Sequence, residues 1–358
     1  MLTSKRKIEH LDICLKEKVE SYGNGFEDVH LLHRCLPGLN KSDISIDATF
    51  LGHKFNSPFM IASMTGGHPE TKKVNANLAT AAEALGIGIG VGSQRAAIED
   101  PTLEDSYRVV RDNAPTAFIY GNIGAPQLLK YDVEDLERAV ETIDADAIAI
   151  HLNFLQEAIQ PEGEVDARGC LEKIAEVVES LSVPVIAKET GAGICRLDAN
   201  ALKMAGVSAI DVGGKGGTSW AGVEVYRARA KSDNLGEHLG MKFWNWGIST
   251  VTSLVEANVG LPMISTGGIR DGVMAAKSLA LGSSLASAAL PLVPSAMVSS
   301  DKVIQQMKIY IEELKATMFL TGSSSIADLK NAPAVITGTT RDYLKERGFD
   351  CTSFARRS

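Results

Sequence analysis

Short apolar runs alternate with helix-like segments along the chain. FMIASMT (59–65) precedes a helix-like stretch at 75–86, 87–94 precedes 101–114, and 117–124 precedes 133–144. The pattern continues with 147–153 before 170–181 and 184–190 before 198–206. AIDVGG (209–214) leads through a polar insert to 249–260, 262–268 leads to 272–282, and 283–290 leads into a helical tail expected over 297–320. The eight runs open on continuous apolar residues, the signature of parallel strands buried on both faces. The segments between them carry apolar positions three and four apart, with Asp198 and Ser249 where N-caps would stand. Eight βα units in series predict an α/β protein, a (β/α)8 TIM barrel. A doubly wound sheet would place polar loops at one switch point, whereas here polar and glycine residues follow nearly every run.

Residues 1–58 precede the barrel. They open on KRKIEH, and DISIDATFLGHKF reads as a β-hairpin plugging the barrel floor. The barrel is expected over 59–330 and a tail packed on it over 331–358. A long insert after run six, 220–246, holds Trp220, Trp244 and Trp246 and reads as a structureless loop, which at this length is functional or mobile.

Composition narrows the function. The chain has 358 residues, 45% hydrophobic and 22% charged, ordinary values for a globular protein. A net charge of −8 with dispersed Lys and Arg argues against nucleic acid, though not against a local anion site. The five cysteines are odd in number and none is in a CxxC spacing, which argues against a zinc site or disulfide framework. The charged N-terminus lacks the apolar segment of a signal peptide, and the apolar 279–298 stretch is broken by Pro291 and Pro294. The expectation is a cytoplasmic protein without membrane contact.

Barrel sites form at the C-terminal ends of the strands. Two groups stand there. STGGIRDG with KSLALGSSLASAA follows runs seven and eight, where glycines let backbone N–H groups approach a phosphate. His151, Asn153, Gln156 and Glu157 gather at the end of run four; one carboxylate is a poor cage but suits Mg²⁺ shared with substrate phosphates. Lys188 stands at the end of run five and Arg95 after run two, where a guanidinium can grip a phosphate bidentately. Arg6, Lys7 and His10 read on composition alone as a solvated tail. Cys195 has no histidine beside it and reads as inert.

Together these motifs resemble the FMN-dependent type 2 isopentenyl-diphosphate isomerases. The matching pieces are RKIEH, SMTGG (63–67), GSQR (92–95), HLNFLQE (151–157), QPEGE (160–164), KETGAG (188–193), DVGGKGGTSW (211–220), and STGGIRDG with AKSLALG. The resemblance implies FMN against Ala62, Ser63, Met64, Thr65, Ser93, Asn122, Lys188, Thr218, Gly267, Gly268, Ile269, Arg270, Ala288 and Ala289. It implies a diphosphate substrate among Arg6, Lys7, His10, Ser93, Gln94, Arg95, His151, Asn153 and Gln156, with Mg²⁺ on Glu157. The basic N-terminal cluster then becomes a lid. Gln156 and His151 would act with reduced FMN in moving a double bond, NADPH would be the reductant, and the protein would be a homo-oligomer, tetramer or octamer. The competing expectation is an FMN oxidoreductase of a small hydroxy or carbonyl compound. Such an enzyme needs a base near the late strands, and no histidine follows run six until His238. A non-catalytic flavin-binding protein is disfavoured by the polar residues crowding the strand ends.

Overall fold

The computed structural model describes residues 2–357. Eight parallel strands close a barrel: β1 (Phe59–Ile61), β2 (Gly88–Gly90), β3 (Ile119–Gly124), β4 (Ala147–Leu152), β5 (Val185–Glu189), β6 (Ala209–Asp211), β7 (Met263–Ser265) and β8 (Leu285–Ala288). Neighbours in sequence are neighbours in the sheet, and β8 closes on β1 with Ala286 opposite Phe59 and Ala288 opposite Ile61. Each of the eight apolar runs holds one strand, so the fold is the TIM barrel expected.

Strand alternation sorts the side chains. In β4, Ile148 and Ile150 join the layer between strands and helices, while Ala147 and Ala149 fill the barrel interior. The same phase puts Tyr120, Ile186, Ala209, Ile264 and Leu285 inside. Two residues further along strands β3 to β8 the inward position becomes polar: Asn122, His151, Lys188, Asp211, Thr266 and Ser287. The lower interior is therefore a packed apolar plug, and the upper interior is the floor of a polar cavity.

The expected hairpin closes the bottom. Strands Ala48–Phe50 and His53–Phe55 pair antiparallel. Leu51 and Gly52 turn the corner at φ 46° and 83°, the backbone a two-residue hairpin turn requires. Phe50 and Phe55 stack against Phe118 at centroid distances of 5.8 and 5.7 Å.

Three expectations are corrected. The 220–246 insert is ordered as two helices, Trp220–Ala230 and Asn234–Phe243, packed on each other. Ser219 caps the first by accepting the Gly222 N–H at 3.0 Å, and Asp233 caps the second. Asp198 is not an N-cap: the helix starts at Arg196, Cys195 is the capping position, and Asp198 sits in the first turn, where a carboxylate favours the helix dipole. The tail helix spans Ser300–Thr321 rather than 297–320, because Ser299 ends one helix and caps the next. Ser249 does cap its helix, accepting the Thr252 N–H.

The chain ends meet. Strand Val29–Leu31 pairs antiparallel with Ala334–Ile336. Arg347 donates to both carboxylate oxygens of the fully buried Glu256 at 3.0 and 3.1 Å, tying the carboxy-terminal segment to a barrel helix. No helix of the described residues is long and apolar enough to cross a membrane.

Candidate active site

One large cavity occupies the mouth of the barrel, lined by residues from all eight strand ends and from the amino-terminal helix Leu2–Lys16. It divides into a glycine-rich side and a charged side.

The glycine side lies after β6, β7 and β8. Gly267 and Gly268 adopt φ of 104° and 78°. A Cβ on Gly267 would stand 2.0 Å from the Gly214 oxygen, and one on Gly268 2.3 Å from the Gly216 oxygen. The loops therefore touch backbone to backbone, which only glycine permits. Among the described residues no protein acceptor meets the N–H groups of Gly268 and Ile269. The hydroxyls of Ser63, Thr65 and Ser287 line the cavity, buried and without a hydrogen-bond partner. Buried polar groups are rarely left unmatched, so these donors fit a polar ligand such as a flavin nucleotide with its phosphate in the glycine cradle. Ala62, Met64, Thr218, Ala288 and Ala289 complete that wall, and Arg270 lines it while paired to Glu20.

At the cavity floor, Lys188 Nζ lies 3.5 Å from the buried Asp211 carboxylate and donates to the Glu189 carbonyl at 3.0 Å. Burial raises the Asp211 pKa, with Lys188 opposing. The Glu189 carboxylate accepts N–H bonds from Gly191, Ala192 and Gly193 at 2.7, 2.6 and 2.8 Å, which fixes the loop after β5, yet burial still pushes its pKa up to about 7.

The charged side is built on β4 and the helix Phe154–Ile159 that follows it. His151 Nδ1 donates to Asn122 Oδ1 at 3.0 Å, leaving a lone pair on Nε2. Burial, then Lys188, Lys7 and Arg6, bring its pKa down to about 3, so His151 is neutral at physiological pH. The Gln156 amide is held at both ends: its oxygen accepts from Asn153, and its nitrogen donates to Glu224 at 2.7 Å. Glu157 accepts from Gln160 at 2.6 Å and from the Glu164 N–H at 2.7 Å through one oxygen. No cluster of three or more His, Cys, Asp or Glu among the described residues could cage a metal. Glu157 fits Mg²⁺ only as one protein ligand of an ion shared with phosphates.

The amino-terminal helix roofs this side with Arg6, Lys7, His10, Leu11 and Cys14. The segment after it is stapled to the β6 loop: Ser21 donates its N–H to the Gly217 oxygen at 2.8 Å, and Ser219 donates to the Val19 oxygen at 2.7 Å. Lys7 Nζ donates to the Ser93 carbonyl at 3.2 Å. Arg6 reaches Gln160, and Arg95 is held by Glu99 at 2.7 Å and Glu164 at 3.2 Å. Thus the cluster Arg6, Lys7 and His10 is no solvated tail.

All but one of the expected site residues line the cavity. The exception is Gln94, which is almost fully buried: its amide nitrogen donates to the Ala139 carbonyl at 2.7 Å and its oxygen accepts the Asn122 N–H. It sits at a strand end, but its side chain faces the wall and braces β2 against β3. Sequence reasoning missed Gln127, Gln160, Thr190 and Leu290, all lining, and the buried Glu224 behind Gln156. The five cysteines are free, and Cys195 Sγ donates to Asp198 at 3.2 Å away from the cavity.

A closed parallel barrel with a backbone phosphate cradle at strands six to eight defines a flavin-nucleotide barrel enzyme. The family model for FMN-dependent dehydrogenases matches residues 14–111 and 149–336. Solved structures of similar fold include a lactate oxidase from Pediococcus acidilactici (TM-score 0.62, 18% identity, 88% of this chain and 86% of that one). A mandelate oxidase variant with (S)-mandelic acid gives a TM-score of 0.61 at 18% identity, over 94% of this chain and 98% of that one. These likenesses are of fold. At the level of sequence, the chain is 59% identical over 350 residues to the isopentenyl-diphosphate delta-isomerase of Methanosarcina mazei, covering 97% of this chain and 96% of that protein. It is 54% identical to that of Archaeoglobus fulgidus, covering 97% and 100%. The chain belongs to the isopentenyl-diphosphate delta-isomerase family, and is an isomerase of FMN-dependent lineage.

Proposed function

We propose that this protein interconverts isopentenyl and dimethylallyl diphosphate by a 1,3-allylic proton shift. FMN would sit in the glycine cradle and Mg²⁺ on Glu157. The observation that carries the reading is the pairing, in one cavity, of a cationic roof with a charge-neutral reaction wall. Arg6, Lys7 and Arg95 lie over the same side of the cavity that neutral His151 and the amides of Asn153 and Gln156 line.

The reaction adds a proton at the terminal methylene and removes one from C2, with no net redox change. The substrate passes through a tertiary carbocation-like centre, which demands a water-free site with no misplaced nucleophile. Reduced FMN, when bound, supplies an electron-rich face and proton exchange at N5. The chain's own residues do the rest. Arg6, Lys7 and Arg95 neutralise the diphosphate together with the ion on Glu157. Gln156, locked between Asn153 and Glu224, presents its amide at a fixed angle to the C5 unit. His151 stays uncharged and adds no positive repulsion to the carbocation. Leu11 and Trp220 help exclude water.

The rival reading, oxidation of a hydroxy acid, needs a base to take a proton from the substrate. An imidazole with a pKa of about 3 is a poor one at neutral pH. The deciding experiment is an anaerobic assay with FMN, Mg²⁺ and isopentenyl diphosphate, with and without NADPH or dithionite. Turnover only with reduced flavin, without stoichiometric NADPH loss, is the expected result. One NADPH consumed per product overturns the reading. Assembly into a homo-oligomer, tetramer or octamer, in the cytoplasm belongs to the same proposal, with the 300–321 helix and the tryptophan insert as contact surfaces.

A further inference from the structure

Arg227 lies one helical turn beyond Glu224 and does not line the cavity, yet its side chain is only 5% exposed. Each arm of its guanidinium meets a carboxylate from a different part of the chain. Nη1 contacts Glu224 at 2.6 Å, Nη2 contacts Glu162 of the QPEGE segment at 2.6 Å, and Nε contacts Glu9 of the amino-terminal helix at 3.3 Å. Each of these carboxylates has another role. Glu224 accepts from Gln156 and lies 3.3 Å from His10 Nε2. Glu162 also faces Arg6 at 3.8 Å. Glu9 sits between Arg6 and His10 on the roof helix without lining the cavity.

We propose that Arg227 is a positioning residue that couples the seating of the amino-terminal helix to the orientation of Gln156. Only a planar fork can serve three carboxylates at once; a lysine is a single point charge. Remove the fork, and the largely buried Glu224 loses its counter-cation while the roof helix faces uncompensated acidic groups. Gln156 then loses its fixed partner as the roof loosens. The proposal rests on the isomerase reading of the cavity, since it assigns the consequence to diphosphate capture and to Gln156.

The test compares wild type, Arg227→Met, Arg227→Lys and Glu9→Gln, all FMN-loaded. Amide hydrogen exchange over residues 2–16 reads the roof without turnover; kcat and KM for isopentenyl diphosphate read the site. Arg227→Met is expected to speed exchange and raise KM, each by roughly tenfold, and to lower kcat. Arg227→Lys should fall between it and wild type. Glu9→Gln severs only the roof arm, so exchange and KM rise several-fold and kcat falls, by less than in Arg227→Met. Unchanged exchange in a folded Arg227→Met protein overturns the coupling, as does a Glu9→Gln protein identical to wild type in exchange and KM. The latter serves alone if Arg227→Met does not fold. If wild type fails to turn over isopentenyl diphosphate while exchange changes as expected, the isomerase reading fails and the clamp stands.

Discussion

Lys7 is half-buried at the cavity rim beside Arg6 and Arg95, and desolvation together with those two cations brings its pKa from 10.5 down to about 7. The folded value lies below the unfolded one, so the uncharged form is favoured: the ligand-free protein gains stability as pH rises from 7 towards 10.5. Diphosphate binding has the opposite sign, because it needs the charged form. Above pH 7, KM for the diphosphate should rise by up to about tenfold per pH unit through this one proton. A pH series of initial rates checks this, and Lys7→Arg should flatten the rise, since arginine stays charged. At Gln156 the expectation concerns kcat. Gln156→Ala removes the oriented amide and leaves Glu224 facing an empty position, so kcat should fall by about 10²–10⁴ with KM little changed. A raised KM with kcat unchanged would place Gln156 in substrate binding alone.

At the scale of elements, the glycine loops and the floor hairpin make separable predictions. Gly268→Ala forces a Cβ against the Gly216 oxygen at a φ of 78° and splays the cradle. FMN affinity should drop by roughly a hundredfold, measured by fluorescence titration of the apoprotein, a loss of about 2.7 kcal/mol. Phe50→Ala opens a hole under the barrel, expected to cost about 3–5 kcal/mol in chemical denaturation while sparing FMN affinity. The sequence disclosed these elements unequally. The eight strands were legible because parallel strands are apolar on both faces. The hairpin was legible from its alternation around Leu51-Gly52. The helix Trp220–Ala230 was not: Glu224 and Arg227 are buried beside Val223 and Val225, so no polar face contrasts with an apolar one. For the same reason the clamp was invisible, since a buried arginine and a solvated one are the same letter. Gln94 misled in the opposite way: strand-end position predicted its neighbourhood but not the side to which its amide turns. The roof cluster Arg6–Lys7–His10 emerged from the resemblance, not from local pattern.

Across the whole molecule, the two chain ends share the work of holding the barrel. Glu256 is buried with no exposure and depends on Arg347, half-exposed near the carboxy-terminus, and on Arg196. Arg347→Met should lower the urea-unfolding midpoint, with FMN affinity kept. An unchanged midpoint would mean that the Arg196 N–H satisfies Glu256 unaided. The order of these contacts along the chain has a further effect during synthesis. The roof segment leaves the ribosome before the barrel does, and its anchors, the Gly217 and Gly268 carbonyls, are translated some 200 residues later. Val29–Leu31 waits longer still for Ala334–Ile336. The nascent chain therefore carries an undocked basic helix until the loops after β6 and β7 are made, and an unpaired edge strand for longer still, so the cavity gains its roof well after the roof itself is made.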